Sequence, residues 1–183
     1  MNRLVSMSLF LIAFLAVWLQ ATLALPRHWL GAQLDMLPPL MVYAGLFCGP
    51  GTVAALALLG GLGIDALSLN PLGVTVLPLF LVGVGIQQFR EVMLRDTTYA
   101  QFMLGMAASA FVPAATVCLL LLLGEKPMLS WGSLWQWTVV TFSGAVLTPV
   151  LSKLLRWFEH TFGYREMPQT SFRADREIVR PRR

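Results

Sequence analysis

From Tyr99 to Leu123 the chain runs for twenty-five residues without one Asp, Glu, Lys or Arg. A helix of that length rises about 37 Å, more than the roughly 30 Å of hydrocarbon in a bilayer, so the stretch is long enough to cross a membrane. It is not isolated. Apolar runs over about 4–25, 34–48, 51–69, 72–89 and 133–155 accompany it, and they are continuous rather than alternating, which favours helices over the strands of a barrel. Across 183 residues, 57% are hydrophobic and only 12% charged, with a mean hydropathy of +0.70, a balance outside that of ordinary soluble domains. The reading is an all-α integral membrane protein, a compact bundle of six transmembrane helices.

Charge placement orients the bundle. Eight of the thirteen Lys and Arg lie from Lys153 onward, so the net charge of +4 belongs to one end of the chain and carries no nucleic-acid signature. With both termini cytoplasmic, Arg3, Arg90, Arg95 and those eight cations fall inside, leaving Arg27 and Lys126 outside. A re-entrant second segment would spoil this pattern. The first run, 4–25, is too long for the 7 to 15 apolar residues of a secretory signal, and it reads as an uncleaved span. Residues 1–157 form the membrane domain and 158–183 a basic cytoplasmic tail, in which Arg173, Arg176 and Arg180 alternate with acidic and apolar residues. Arg90 and Arg95, in the connector after the fourth span, are candidate cytoplasmic contacts together with those three, and anionic lipid is the expected partner of the tail.

Glycine and proline punctuate the spans. Pro38-Pro39 opens the second, which is short for a crossing; Tyr43, Gly45 and Gly49 give it a close-packing face; Cys48-Gly49-Pro50-Gly51 reads as a turn. Pro78 predicts a kink in the fourth span, and Gly105 and Ser109 form a small-xxx-small pair in the fifth.

One acid breaks the apolar pattern. Asp65 lies in Gly60-Gly61-Leu62-Gly63-Ile64-Asp65-Ala66-Leu67, roughly 21 Å along the third span and about one turn from its exit. An ionised carboxylate in hydrocarbon costs several kcal/mol, so the group must face protein, water or a cation, or hold its proton. Ala57, Gly61, Asp65 and Ser68 share one helical stripe, which therefore points inward. Asp65 either caps or hydrogen-bonds a neighbouring helix, or serves a ligand, a proton or a partner. Asn70 and Pro71 read as the N-cap and first position of the returning helix.

Little else suggests chemistry. Asp35 and Asp65 are the only candidates for paired-carboxyl catalysis, and no flanking motif supports a shared proton. His28 and His160 have no cysteine or acid at zinc-ligand spacing, Cys48 and Cys118 lie on different spans, and the glycines at 60, 61 and 63 follow packing logic rather than a phosphate loop. The expectation is a protein without catalytic residues, cofactor or metal.

Leu40-Met41-Val42-Tyr43-Ala44-Gly45-Leu46, Gly49-Pro50, the Gly60–Leu67 segment and Asn70-Pro71-Leu72-Gly73, in that order, resemble the bacterial rod shape-determining protein MreD family across residues 35–90. The resemblance implies a non-catalytic inner-membrane subunit of the cell-elongation machinery. It would associate with the single-span protein MreC and, through it, with MreB, RodA and a class B penicillin-binding protein. It also implies a shape similar to the substrate-binding subunits of vitamin transporters, and that function is the competing reading. Tyr43, Gly61, Asp65, Asn70, Pro71, Leu72 and Gly73 are then expected to shape a partner-facing or pocket-lining surface.

Overall fold

The computed structural model describes residues 3–22, 34–68, 70–89, 97–125 and 130–162. Among them the chain is all helical: α1 (Arg3–Thr22), α2 (Leu37–Phe47), α3 (Pro50–Leu67), α4 (Val76–Phe89), α5 (Thr98–Leu122) and α6 (Trp131–Phe162). Pro50–Leu67, Thr98–Leu122 and Trp131–Phe158 are long and apolar enough to cross a membrane, while Leu9–Gln20, Leu37–Phe47 and Val76–Phe89 are shorter apolar helices. Every helix except α2 exposes large apolar side chains, among them Phe14, Leu59, Leu81, Phe111 and Val146. In water such a surface would drive aggregation; in lipid it is the solvated face.

The hub is α2. Its 11 residues rise about 16 Å, half a hydrocarbon thickness. All positions from Leu37 to Leu46 are buried, and the helix touches each of the other five. A helix that is apolar on every side has no face to give to water and is surrounded instead. Pro38 and Pro39 fit because they occupy its first turn, where backbone N–H groups have no helical acceptor. Gly45 lets α4 close in: a Cβ there would lie 3.0 Å from Ile86 Cβ and 3.1 Å from Gly83 O. At the far end Cys48 N–H donates to Ala44 O (2.8 Å), Gln87 Nε2 donates to Cys48 O (3.2 Å), and Pro50 begins α3.

The α5–α6 pair is the most extensive contact between helices. Its antiparallel seam sets Gly105 against Thr148 and Ser109 against Gly144, with all four buried. A Cβ on Gly105 would sit 2.6 Å from Thr148 Cβ and 2.7 Å from Gly144 O, so the small residues let Thr148 and Ser109 pack directly onto the facing backbone. Thr148 Oγ1 donates to Gly144 O (2.7 Å) on its own helix, so the hydroxyl that faces Gly105 in the seam is satisfied without a partner on α5. Further along, Trp137 Nε1 donates to Ala110 O (3.0 Å) across the same pair. That carbonyl neighbours the one on Ser109, which Pro113 deprives of its helical donor.

Two expectations are corrected here. Pro78 does not interrupt a run, because α4 begins only at Val76 and the proline falls in its first turn. Asn70 and Pro71 do not start that helix; residues 72–75 form a turn ahead of it. The last helix, α6, continues to Phe162, and residues 163–183 of the expected tail lie outside the described residues.

Candidate functional site

The Asp65 side chain is an acceptor brace between α3 and the start of α4. Gly61, one turn earlier on the same stripe, sets the spacing: a Cβ there would be 2.7 Å from Val76 Cγ2 and 2.8 Å from Val76 Cα, so α4 begins hard against the α3 backbone. Ser68 ends α3 through its N–H (2.8 Å) and Oγ (2.6 Å), both donating to Ile64 O. The chain then reverses through Gly73, whose φ of +97° is the left-handed region that glycine adopts without a steric penalty. This reversal aims two backbone donors back at α3. Gly73 N–H reaches Asp65 Oδ2 at 2.8 Å and Thr75 N–H reaches the same oxygen at 3.1 Å, while Thr75 Oγ1 donates to Oδ1.

The arrangement answers the question left by the sequence. At 1% exposure Asp65 is buried, and both of its oxygens accept from the turn that precedes α4. From eleven residues upstream of Val76 it braces the turn that leads into α4, accepting from the backbone just ahead of the helix. The capping alternative describes the residue.

A second acid does related work at α2. Asp35 Oδ1 accepts from Leu37 N–H (3.0 Å) and from Gln20 Nε2 of α1 (3.3 Å), tying the end of α1 to the first turn of the hub. Both acids thus hold helix starts at one end of the bundle. Neither role is assigned by the sequence analysis, although an Asp just before Leu37-Pro38-Pro39 is a capping signal and Gln20 is a polar side chain able to donate across helices. Thr75 had no comparable sign, since its role depends on how the turn closes.

The predicted partner or pocket residues separate into two groups. Tyr43 (1% exposed), Gly61 and Asp65 face the interior of the chain. Tyr43 packs its ring 5.0 Å from that of Phe47 within the hub. Asn70 and Gly73 are half-buried, Pro71 is exposed, and Leu72, 71% exposed, is the tip of the turn. Gly73 also lines a groove of about 410 Å³ between α3 and α4, with Ala54, Ala57, Leu58, Leu62, Val76, Leu77 and Phe80. Of the predicted contacts at the other end, Arg90, Arg95, Arg173, Arg176 and Arg180 lie outside the described residues.

That end has its own anchoring, which the sequence did not signal. The Arg156 guanidinium lies 5.6 Å from the centroid of the Phe47 ring, where α2 terminates, so a cation sits beside the negative end of the hub helix. Among the described residues no group of His, Cys, Asp and Glu is placed to hold a metal ion. Cys48 is buried and Cys118 exposed, both as free thiols. Comparison with family models, with curated proteins and with solved structures found no match to this chain.

Proposed function

We propose that the chain is a non-catalytic scaffold subunit of the bacterial cell-elongation complex. In this reading it crosses the inner membrane six times, with both termini in the cytoplasm. It binds an MreC-like single-span protein and, through it, MreB, RodA and a class B penicillin-binding protein, and its basic tail lies on anionic lipid. The observation that carries the reading is the use made of the family-like segment: Asp35, Gly45, Gly61, Asp65 and Gly73 all go into locking α1, α2, α3 and α4 together. A rigid body of that kind suits a part whose task is to hold others in place. The α3–α4 groove is consistent with it, because a lining of apolar residues alone fits hydrocarbon and has no polar group to orient a vitamin. For that reason the transporter reading ranks second.

The test is purification of the tagged full chain from bacterial membranes in mild detergent, followed by identification of what remains bound. Recovery of the MreC-like protein, with loss of rod shape on depletion of the chain, is the expected result. Recovery instead of paired ATP-binding cassettes and a small solute would refute the scaffold and favour transport.

A further inference from the structure

Helices α3 and α4 stop short of the end that α5 and α6 reach. Gln87 Nε2 on Cys48 O and the Arg156 guanidinium over the Phe47 ring bring α2, α4 and α6 to one level, which Arg156 and Trp157 mark as a membrane boundary. From that level α6 runs back to Trp131, about 37 Å away, whereas α4 runs back from Gln87 to Val76, only about 16 Å. The α3 helix agrees, because Val76 lies against Gly61 and the whole helix from Pro50 to Leu67 rises about 26 Å. Hydrocarbon extends about 30 Å from the shared level, so the turn joining α3 to α4 ends roughly 5–10 Å beneath the far boundary. Tilt does not remove the shortfall, since a tilted helix reaches less far along the bilayer normal.

The turn suits such a place. Pro71, Leu72, Gly73 and Val74 present no polar side chain, and Leu72 at the tip is 71% exposed. Pro71 brings no N–H, Gly73 N–H and Thr75 N–H both donate to Asp65 Oδ2, the Thr75 hydroxyl donates to Asp65 Oδ1, and Val74 N–H donates to Pro71 O (3.4 Å). Only the Leu72 N–H has no partner among the described residues. In water a turn needs no buried carboxylate to satisfy it; in hydrocarbon, non-helical backbone persists only where its polar groups are met from within.

We propose that the Pro71–Thr75 turn is submerged in the hydrocarbon of its leaflet, with Leu72 among phospholipid acyl chains, and that Asp65 is the internal acceptor that permits a break in the helix at that depth. The partner of this corner of the bundle is then the upper acyl region of the bilayer, with headgroups passing over the tip. A bilayer that thinned to meet the turn would instead bring Leu72 to headgroup level. The inference rests on the membrane reading above, but not on which way the chain faces or on what it binds.

The experiment measures depth in phosphatidylcholine vesicles. The full chain carries Cys118→Ser and one introduced cysteine at a time, Leu72→Cys, Leu77→Cys or Glu125→Cys, labelled with the fluorophore NBD; all three positions are exposed, and Cys48 is buried. Quenching is compared for iodide in water and for lipids bearing a nitroxide in the headgroup, near the top of the acyl chain or near its end. Leu77, half a hydrocarbon thickness along α4, should respond most to the deep nitroxide, and Glu125 to iodide and the headgroup nitroxide. The label at Leu72 should respond most to the upper acyl nitroxide, about 5–10 Å inside the headgroup boundary, and little to iodide. Added to Leu72→Cys, Asp65→Ala should shift the label toward the headgroups as the freed N–H groups seek water, while Asp65→Asn, which keeps an acceptor, should leave it in place. A Leu72 label that behaves like the one at Glu125 would overturn the submerged turn and leave the membrane reading standing. An equal shift in the Ala and Asn variants, or none in the Ala variant, would overturn the part given to Asp65. A Leu77 label that no lipid nitroxide quenches would bring down the membrane reading as well.

Discussion

Replacing Asp65 by Ala is the most informative single change, because it removes one acceptor group on which three donors converge. Thr75 N–H loses its partner where protein packing excludes water and Gly73 N–H loses its own at a half-buried position, while the Thr75 hydroxyl can rotate toward another acceptor. Each stranded buried donor costs about 1–3 kcal/mol, and loss of a helix cap alone typically costs about 1 kcal/mol. The full penalty falls on the Thr75 N–H and a smaller one on the half-buried Gly73 N–H, which sets the expected loss at about 2 kcal/mol. Asp65→Asn keeps the shape and one carbonyl oxygen for the two N–H groups, and its amide can donate to Thr75 Oγ1 in reverse, so the expected loss is about 1 kcal/mol. Unfolding in mild detergent, followed by tryptophan fluorescence, measures both. Amide exchange at Gly73 and Thr75 localises the damage, and it should accelerate in the Ala variant well beyond the Asn variant. An Ala variant as stable as the parent, with slow exchange at both amides, would refute the brace. So would an Asn variant as damaged as the Ala variant, because the acceptor geometry would then not be what matters.

The α5–α6 seam gives a matched pair of glycine tests. Gly105→Ala forces a Cβ to within 2.6 Å of Thr148 Cβ and should destabilise by about 1–3 kcal/mol, whereas Gly85→Ala, with nothing within 4 Å, should be neutral or slightly stabilising; thermal unfolding of the two variants should separate clearly. Trp137→Phe keeps an aromatic ring while deleting the indole N–H and its bond to Ala110 O, for an expected loss of about 0.6 kcal/mol in the same assay; a loss above about 2 kcal/mol would mean that the indole does more than donate that bond. Thiol labelling of the folded chain with a maleimide should modify Cys118 and spare Cys48 until the bundle is unfolded, with peptide mass spectrometry as the readout.

Among the described residues the order and approximate extent of the helices were legible because they depend on a local quantity, the length of apolar chain between polar or turn-forming residues. Runs predicted at 4–25, 34–48, 51–69, 72–89, 99–123 and 133–155 correspond in order to α1 through α6. The inward facing of Asp65 was legible too, since a lone acid among small residues on one stripe has few other places to go. Even the close-packing character of Gly61 and Gly105 could be read, though not what they pack against.

Tertiary structure decided everything that depends on which face meets which. A helix that is apolar all round carries no polarity to orient it, so nothing local marked α2 as the enclosed hub or Tyr43 as interior. The partners of Asp65 follow from a left-handed glycine and a turn ten residues downstream. The match of Gly105 and Ser109 with Thr148 and Gly144 follows from the register of two antiparallel helices, and the placing of Arg156 on Phe47 from where α2 happens to stop. Inside a membrane, hydrophobicity selects which segments are helices but cannot rank their neighbours, because lipid is as apolar as they are; shape, hydrogen bonds and the few polar atoms make that choice, and those act only once the helices are side by side.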